Sequence, residues 1–109
     1  MSTLSTHVLD TALGRPAAGI AVTLEHAGKV LGSAVTDADG RVRELPAKGV
    51  PLGAGEYRLT FAVEEYFGRA GTGSFYREIV IQFRIGERAE HYHVPLLLSP
   101  FGYTTYRGS

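Results

Sequence analysis

Four histidines are the residues of this chain whose chemistry stands out: His7, His26, His91 and His93. Imidazole is the side chain best suited to moving protons near neutral pH. His7 lies within Leu4-Ser-Thr-His7-Val-Leu-Asp10, at a position where a strand would ordinarily carry Val or Thr. A histidine on the outer side of a strand is equally compatible with a hydrogen-bonded surface residue. His91 and His93 stand at i and i+2, so on a strand both point to one face. That spacing is a fragment of a metal site, although two imidazoles alone rarely hold an ion. His26 closes an alternating run before a turn and reads as structural. Arg41 follows Asp39-Gly40 at a turn exit. It reads either as a solvated charge or as a planar donor fork that orients a carbonyl-rich or anionic ring. Alternation places Arg43 on the same face.

Other catalytic classes are poorly supported. There is no Cys and no Gly-x-Ser-x-Gly elbow, so an activated thiol or serine of that kind is missing. Gly71-Thr-Gly73 is too short to cradle a phosphate, and no helix of useful length follows it. An enzyme built from these residues would activate water by general base catalysis.

The elements that must position these groups are mostly strands. In Ile20-Ala-Val-Thr-Leu24 the even positions are large and apolar, as in a half-buried strand, Ala27-Gly28 makes a tight connection, and a second run passes through Leu31, Ser33 and Val35. Asp37-Ala-Asp-Gly40 punctuates the chain as a turn. Tyr57, Leu59, Phe61 and Val63 alternate with Arg58, Thr60 and Ala62, and Phe75, Ile79, Ile81, Phe83 and Ile85 are expected to share one buried face. Val63, Tyr66, Phe67 and Ala70 fall at i, i+3, i+4 and i+7, which predicts a helix of about two turns ended by Gly71. Gly14, Pro46, Gly49, Pro51, Gly53 and Gly55 mark loops. Short strands with turn signals at such intervals predict an antiparallel β-sandwich.

Two segments are unusual. The first strand has Leu4, Thr6 and Val8 on its even side and Ser5, His7 and Leu9 on its odd side. In His91-Tyr-His93-Val-Pro95-Leu-Leu-Leu98 the even side is uniformly apolar and belongs in the core. The odd side then presents His91, His93, Pro95 and Leu97 outward, too apolar a face for an ordinary wet surface. It reads as the floor of a site or a subunit contact. The final Tyr103-Thr-Thr-Tyr106-Arg-Gly-Ser109 is strand-like and aromatic for a tail, which predicts that it docks.

Composition sets the limits. The chain has 109 residues, 44% hydrophobic and 20% charged, as expected of one folded domain over residues 1–109. Eleven Lys+Arg balance eleven Asp+Glu. The basic excess of a nucleic-acid binder is therefore missing, while self-association meets little charge repulsion. No apolar run approaches the ~20 residues that cross a bilayer, and the first residues lack the pattern of a secretion signal, so the expected location is cytoplasmic.

Five segments taken in order carry a resemblance: Leu4–Asp10, Thr36-Asp-Ala-Asp-Gly-Arg41, Ser74-Phe-Tyr76, His91–Pro100 and Tyr106-Arg-Gly-Ser109. Together, over essentially the whole chain, they resemble the 5-hydroxyisourate hydrolases of the transthyretin-like family. The terminal Tyr-Arg-Gly-Ser is the most telling, because transthyretin lacks it and also lacks the first-strand His. One departure is Arg77, where the family commonly has Pro, and it bears on where the local strand starts.

The resemblance implies an eight-stranded antiparallel transthyretin-like β-sandwich with one short helix, assembled as a homotetramer with active sites where dimers meet. It implies hydrolytic opening of the six-membered ring of 5-hydroxyisourate at an amide carbonyl, giving 2-oxo-4-hydroxy-4-carboxy-5-ureidoimidazoline, with no metal or organic cofactor. Carried over by motif, His7, Arg41 and His93 are the catalytic residues. His7, Arg41, Tyr106 and Ser109 bind substrate, and His91 is not counted as catalytic. The competing expectation is a non-catalytic transthyretin-like ligand carrier or accessory binding module, in which the same histidines only line a pocket.

Overall fold

A computed structural model describes residues 2–47 and 50–109, so Gly49, read above as a loop marker, lies outside the described residues. The chain runs β1 (Thr3–Asp10), β2 (Arg15–Pro16), β3 (Ala21–His26), β4 (Lys29–Val35), β5 (Arg41–Val42), β6 (Gly55–Phe61), α1 (Val63–Arg69), β7 (Ile79–Ile85), β8 (His91–Ser99) and β9 (Gly102–Thr105). One sheet has the order β2-β1-β8-β9, with β5 also on β1, and the other has the order β4-β3-β6-β7. Their inner faces bury Leu4, Val8, Val22, Leu24, Leu59, Phe61, Ile79, Leu96 and Leu98. The even sides of β1 and β8 both fall inward, as alternation predicts. Thr6 is a polar member of the β1 inner row, as is Asp10 at its end, and the Thr6 hydroxyl donates to Val94 O at 2.6 Å. Among the described residues no helix is long and apolar enough to cross a membrane.

Several expectations need correction. The eight strands become nine paired segments among the described residues, because two two-residue pieces, β2 and β5, share the free edge of β1. The sandwich is antiparallel apart from one ladder: β1 and β8 run parallel, from Thr3↔His91 to Asp10↔Leu98. These strands are joined through the other sheet, so no hairpin forces them to oppose. The run through Leu31, Ser33 and Val35 does not share a buried face. A register shift between Leu24 and Glu25 sets Gly32 opposite Leu24 and Ala34 opposite Val22, leaving Val35 61% exposed. Phe75 is 71% exposed, since β7 starts only at Ile79, beyond Arg77. Gly55 opens β6 rather than sitting in a loop.

The Ala27-Gly28 connection is a true hairpin turn, with φ of 52° and 78°. The helix buries Val63 and Phe67 and ends at Arg69, with Ala70 as its C-cap. Its Tyr66 hydroxyl donates to Asp10 Oδ2 at 2.6 Å, while Asp10 Oδ1 accepts from the amides of Ala12 and Leu13. Burial, aided by that bond to Asp10, pushes the Tyr66 phenol up to about 12. The helix is thus tied to the turn that ends β1.

The turn before β5 is built more tightly. Asp37 Oδ1 accepts from the amides of Asp39 and Arg41, and Gly40 N donates to Asp37 O. The Arg41 amide bond is the main reason the exposed Asp37 carboxyl lies below its ordinary value. Gly40 has φ +74°, and a Cβ there would meet Val8 O at 2.3 Å. Val8 N in turn donates to Gly40 O at 2.7 Å. Only glycine fits this close approach of the turn to β1. Gly40→Ala should therefore lower stability by about 2–4 kcal/mol through left-handed strain and the clash. Calorimetry should show a fall in Tm of roughly 8 °C or more; an unchanged Tm would show that the turn does not need glycine.

Candidate active site

The chemistry gathers on the outer face of the β1/β8 pair. Period-2 geometry puts Thr3, Ser5, His7 and Leu9 on one side of β1, and His91, His93, Pro95 and Leu97 on the matching side of β8. The parallel register sets Ser5 beside His93 and His7 beside Pro95. On the other edge of β1, the antiparallel pair His7↔Arg41 brings the arginine alongside. Neighbouring strands lie ~4.8 Å apart, so the three functional side chains root within one substrate-sized patch.

His93 is half-buried, and its Nδ1 lies 2.7 Å from Ser5 Oγ. Burial is the main influence holding its imidazole below the ordinary value of 6.5, followed by the Arg41 guanidinium, His7 and His91. The neutral form, able to accept a proton, is therefore favoured. Arg41 makes no ion pair among the described residues. Its neighbour Arg43 instead takes the nearby carboxylates, reaching Asp37 at 3.9 Å and Asp39 at 3.4 Å. The guanidinium of Arg41 is thus left for another acceptor.

The tail docks as expected, and proline shapes how it does so. β9 pairs with β8 from Gly102 opposite Ser99 to Thr105 opposite Leu96. Continuing that register would put Tyr106 opposite Pro95, which has no N–H to donate. The ladder breaks there and resumes with Gly108 opposite His93, where Gly108 N donates to His93 O at 2.7 Å. A Cβ on Gly108 would meet His93 Cδ2 at 2.6 Å, so glycine lets the chain cross the imidazole. Arg107 clamps the crossing, pairing with Glu90 at 3.0 Å and lying 4.4 Å over the Tyr92 ring.

The result is a basin of about 230 Å³ lined by Ser5, Thr6, Arg41, Val42, Arg43, His91, His93 and Ser109. Of the residues singled out from the sequence, Arg41, Arg43, His91, His93 and Ser109 line it directly, and His7 stands next to it on β1 between Arg41 and Pro95. Tyr106 does not line it; that side chain is 57% exposed where the ladder breaks. Ser5 and Thr3 were missed by the sequence reading, although their phase with His7 on the odd side of β1 was a usable signal. The His91/His93 metal fragment is occupied by hydroxyls: both ring nitrogens of His91 contact Thr3 and Ser5, at 2.6 and 2.8 Å. Among the described residues no group of three or more metal-ligating side chains forms. His26 is structural, with Nδ1 2.8 Å from Glu56 O and its ring stacked on Tyr57. A larger hollow of about 400 Å³ lies beside it on the other sheet, lined by Glu25, Glu56 and Arg58 among others, and His26 is its one histidine.

Comparison with known proteins places the chain in a family. A sequence model of the HIUase/Transthyretin family matches residues 4–108. A 5-hydroxyisourate hydrolase of Mesorhizobium japonicum is 46% identical, over 97% of this chain and 91% of that protein. The solved structure of Klebsiella pneumoniae 5-hydroxyisourate hydrolase superposes with a TM-score of 0.92 at 46% identity, covering 100% of both chains. Transthyretin from Sparus aurata superposes with a TM-score of 0.87 at 32% identity, over 96% of this chain and 95% of that one. With a family match across nearly its whole length and the family's sandwich beneath its site, the chain belongs to the HIUase/Transthyretin family.

Proposed function

We propose that the protein is a hydrolase that opens the six-membered ring of 5-hydroxyisourate by attack of water on its cyclic amide carbonyl, yielding 2-oxo-4-hydroxy-4-carboxy-5-ureidoimidazoline. The observation that carries the reading is the convergence of His7, Arg41 and His93, from three separate strands, on one sheet face. Relatives named for this hydrolysis match over nearly the full chain and support it.

In this reading the imidazoles of His7 and His93 carry the two proton transfers, from the attacking water and to the departing ring nitrogen. Such positioned transfer contributes ~10²–10⁴-fold. Arg41 holds a ring carbonyl and stabilises the charge that develops on its oxygen, worth roughly 3–4 kcal/mol where comparable donors have been removed. Ser109 adds a hydroxyl at the rim, and Tyr106 binds substrate from the same tail. No step requires a metal or organic cofactor.

The basin is open, and the half-buried Leu9 and Leu97 extend its face with apolar surface. A homotetramer that apposes two such faces would close the site, exclude water and bring Tyr106 of the tail into a cleft. Cytoplasmic residence belongs to the same proposal. A carrier of the transthyretin type would bind a ring without consuming it, and that difference is measurable.

Freshly prepared 5-hydroxyisourate, followed by ultraviolet absorbance, should decay faster with this protein than in buffer. His7→Ala and His93→Ala should each lose about 10²-fold or more of that rate while the fold is kept, as expected for acid–base groups. Decay at the buffer rate with folded wild-type protein would favour the carrier, and full turnover in both variants would remove the histidines from the chemistry.

The acid side of the pH profile supplies a separate test. The neutral form of His93 accepts the proton, and its titration is held below 6.5, so activity is retained down through that value and lost only at lower pH. A limb in kcat/KM that falls already above 6.5 would contradict the role given to His93.

A further inference from the structure

One string of polar contacts on the site face has no part in the scheme above. Thr3 Oγ1 lies 2.6 Å from His91 Nδ1, Ser5 Oγ lies 2.8 Å from His91 Nε2, and the same Ser5 oxygen lies 2.7 Å from His93 Nδ1. Register is the cause: Thr3 sits beside His91, Ser5 beside His93, and all four share the odd face. Each of the four groups can both donate and accept, since a neutral imidazole has one N–H and one lone pair and a hydroxyl has both. All three distances are those of made hydrogen bonds.

Ordered head to tail, such a chain runs in one of two directions. In the first, His91 Nδ1–H donates to Thr3 Oγ1, the Ser5 hydroxyl donates to His91 Nε2, and His93 Nδ1–H donates to Ser5 Oγ. His93 Nε2 is then a bare lone pair. In the second, the Thr3 hydroxyl donates to His91 Nδ1, His91 Nε2–H donates to Ser5 Oγ, and the Ser5 hydroxyl donates to His93 Nδ1. His93 Nε2 then carries the hydrogen. Both arrangements hold the same number of protons and the same charge.

We propose that Thr3, His91 and Ser5 form a proton wire from solvent to His93, which sets the His93 tautomer and so lets one imidazole present Nε2 either as base or as acid. Its catalytic part rests on the hydrolase reading. When Nε2 takes a proton from water, the Nδ1 proton passes to Ser5, the Ser5 proton to His91 Nε2, and the His91 Nδ1 proton to Thr3. The Thr3 hydroxyl proton leaves to solvent, to which both Thr3 and His91 are exposed. His93 is then neutral with Nε2–H. Donation to the departing nitrogen draws one proton back along the same path and restores the first arrangement. His7 and Arg41 face the same imidazole and set the charge it meets, but neither interrupts the chain. Ser5 and His91 are therefore positioning residues that act through His93.

Ser5→Ala, Ser5→Thr and His91→Phe test this in the full-length protein. Ser5→Ala and His91→Phe should each lower kcat about 10-fold, a fraction of the ~10²–10⁴ that a positioned acid–base group contributes, with KM little changed. Ser5→Thr keeps the hydroxyl and should restore kcat. Without substrate, the ¹⁵N shifts of the His93 ring should move in Ser5→Ala and return in Ser5→Thr. Wild-type kcat in both Ser5→Ala and His91→Phe, or unmoved His93 nitrogen shifts in Ser5→Ala, would overturn the wire. Should the wild type leave 5-hydroxyisourate intact, the hydrolase reading fails, while the nitrogen shifts still decide whether the chain sets the tautomer.

Discussion

The parallel pairing of β1 with β8 is the constraint on which the rest depends. It joins residues 88 positions apart, as in Thr3 and His91, and no local turn fixes its register. What fixes it is the inner row: Leu4 and Val8 from β1, with Tyr92, Val94, Leu96 and Leu98 from β8, all nearly inaccessible to water. A slip of one residue would turn these apolar groups outward and bury histidines instead. The hydrophobic effect on one face thus dictates which polar groups meet on the other. Nothing about the imidazoles themselves has to hold the site together.

Two backbone constraints then complete the site. Gly40 lets the Asp37–Arg41 turn come against Val8, so that Arg41 lands beside His7 rather than in solvent. Pro95 breaks the β8/β9 ladder by withholding a donor, and Gly108 lets the tail return across His93. Glycine and proline here carry no chemistry. They determine where a guanidinium and a terminal hydroxyl arrive, and the Arg107 contacts with Glu90 and Tyr92 hold that arrival in place.

Much of this was legible from residue order alone, wherever the physical signal is local. The alternation in β1, β6 and β8, the Ala27-Gly28 hairpin and the Val63–Phe67 helix face all follow from neighbours within a few positions. The outward apolar face of β8 was readable for the same reason. What was not legible depends on distant partners. The parallel direction of β1 and β8 has no local determinant. The inward turn of Gly32 and Ala34 comes from a bulge beside them at Leu31, and Phe75 is exposed because the strand starts four residues later. Ser5 and Thr3 look like ordinary strand hydroxyls until the register sets them beside His93 and His91. The gathering of His7, Arg41 and His93 was suggested by resemblance, since spacings of 34 and 52 residues along a chain carry no geometry of their own.

The central claim is that a planar, carbonyl-rich ring is held between Arg41 and the two imidazoles on this face. The most direct measurement is a crystal structure of the protein with urate, a stable ring of similar shape. The account predicts urate seated in the basin, a carbonyl oxygen on the Arg41 guanidinium and ring atoms within hydrogen-bond reach of His7 and His93. Urate bound in the hollow beside His26 and Tyr57, with the β1/β8 face empty, would contradict it.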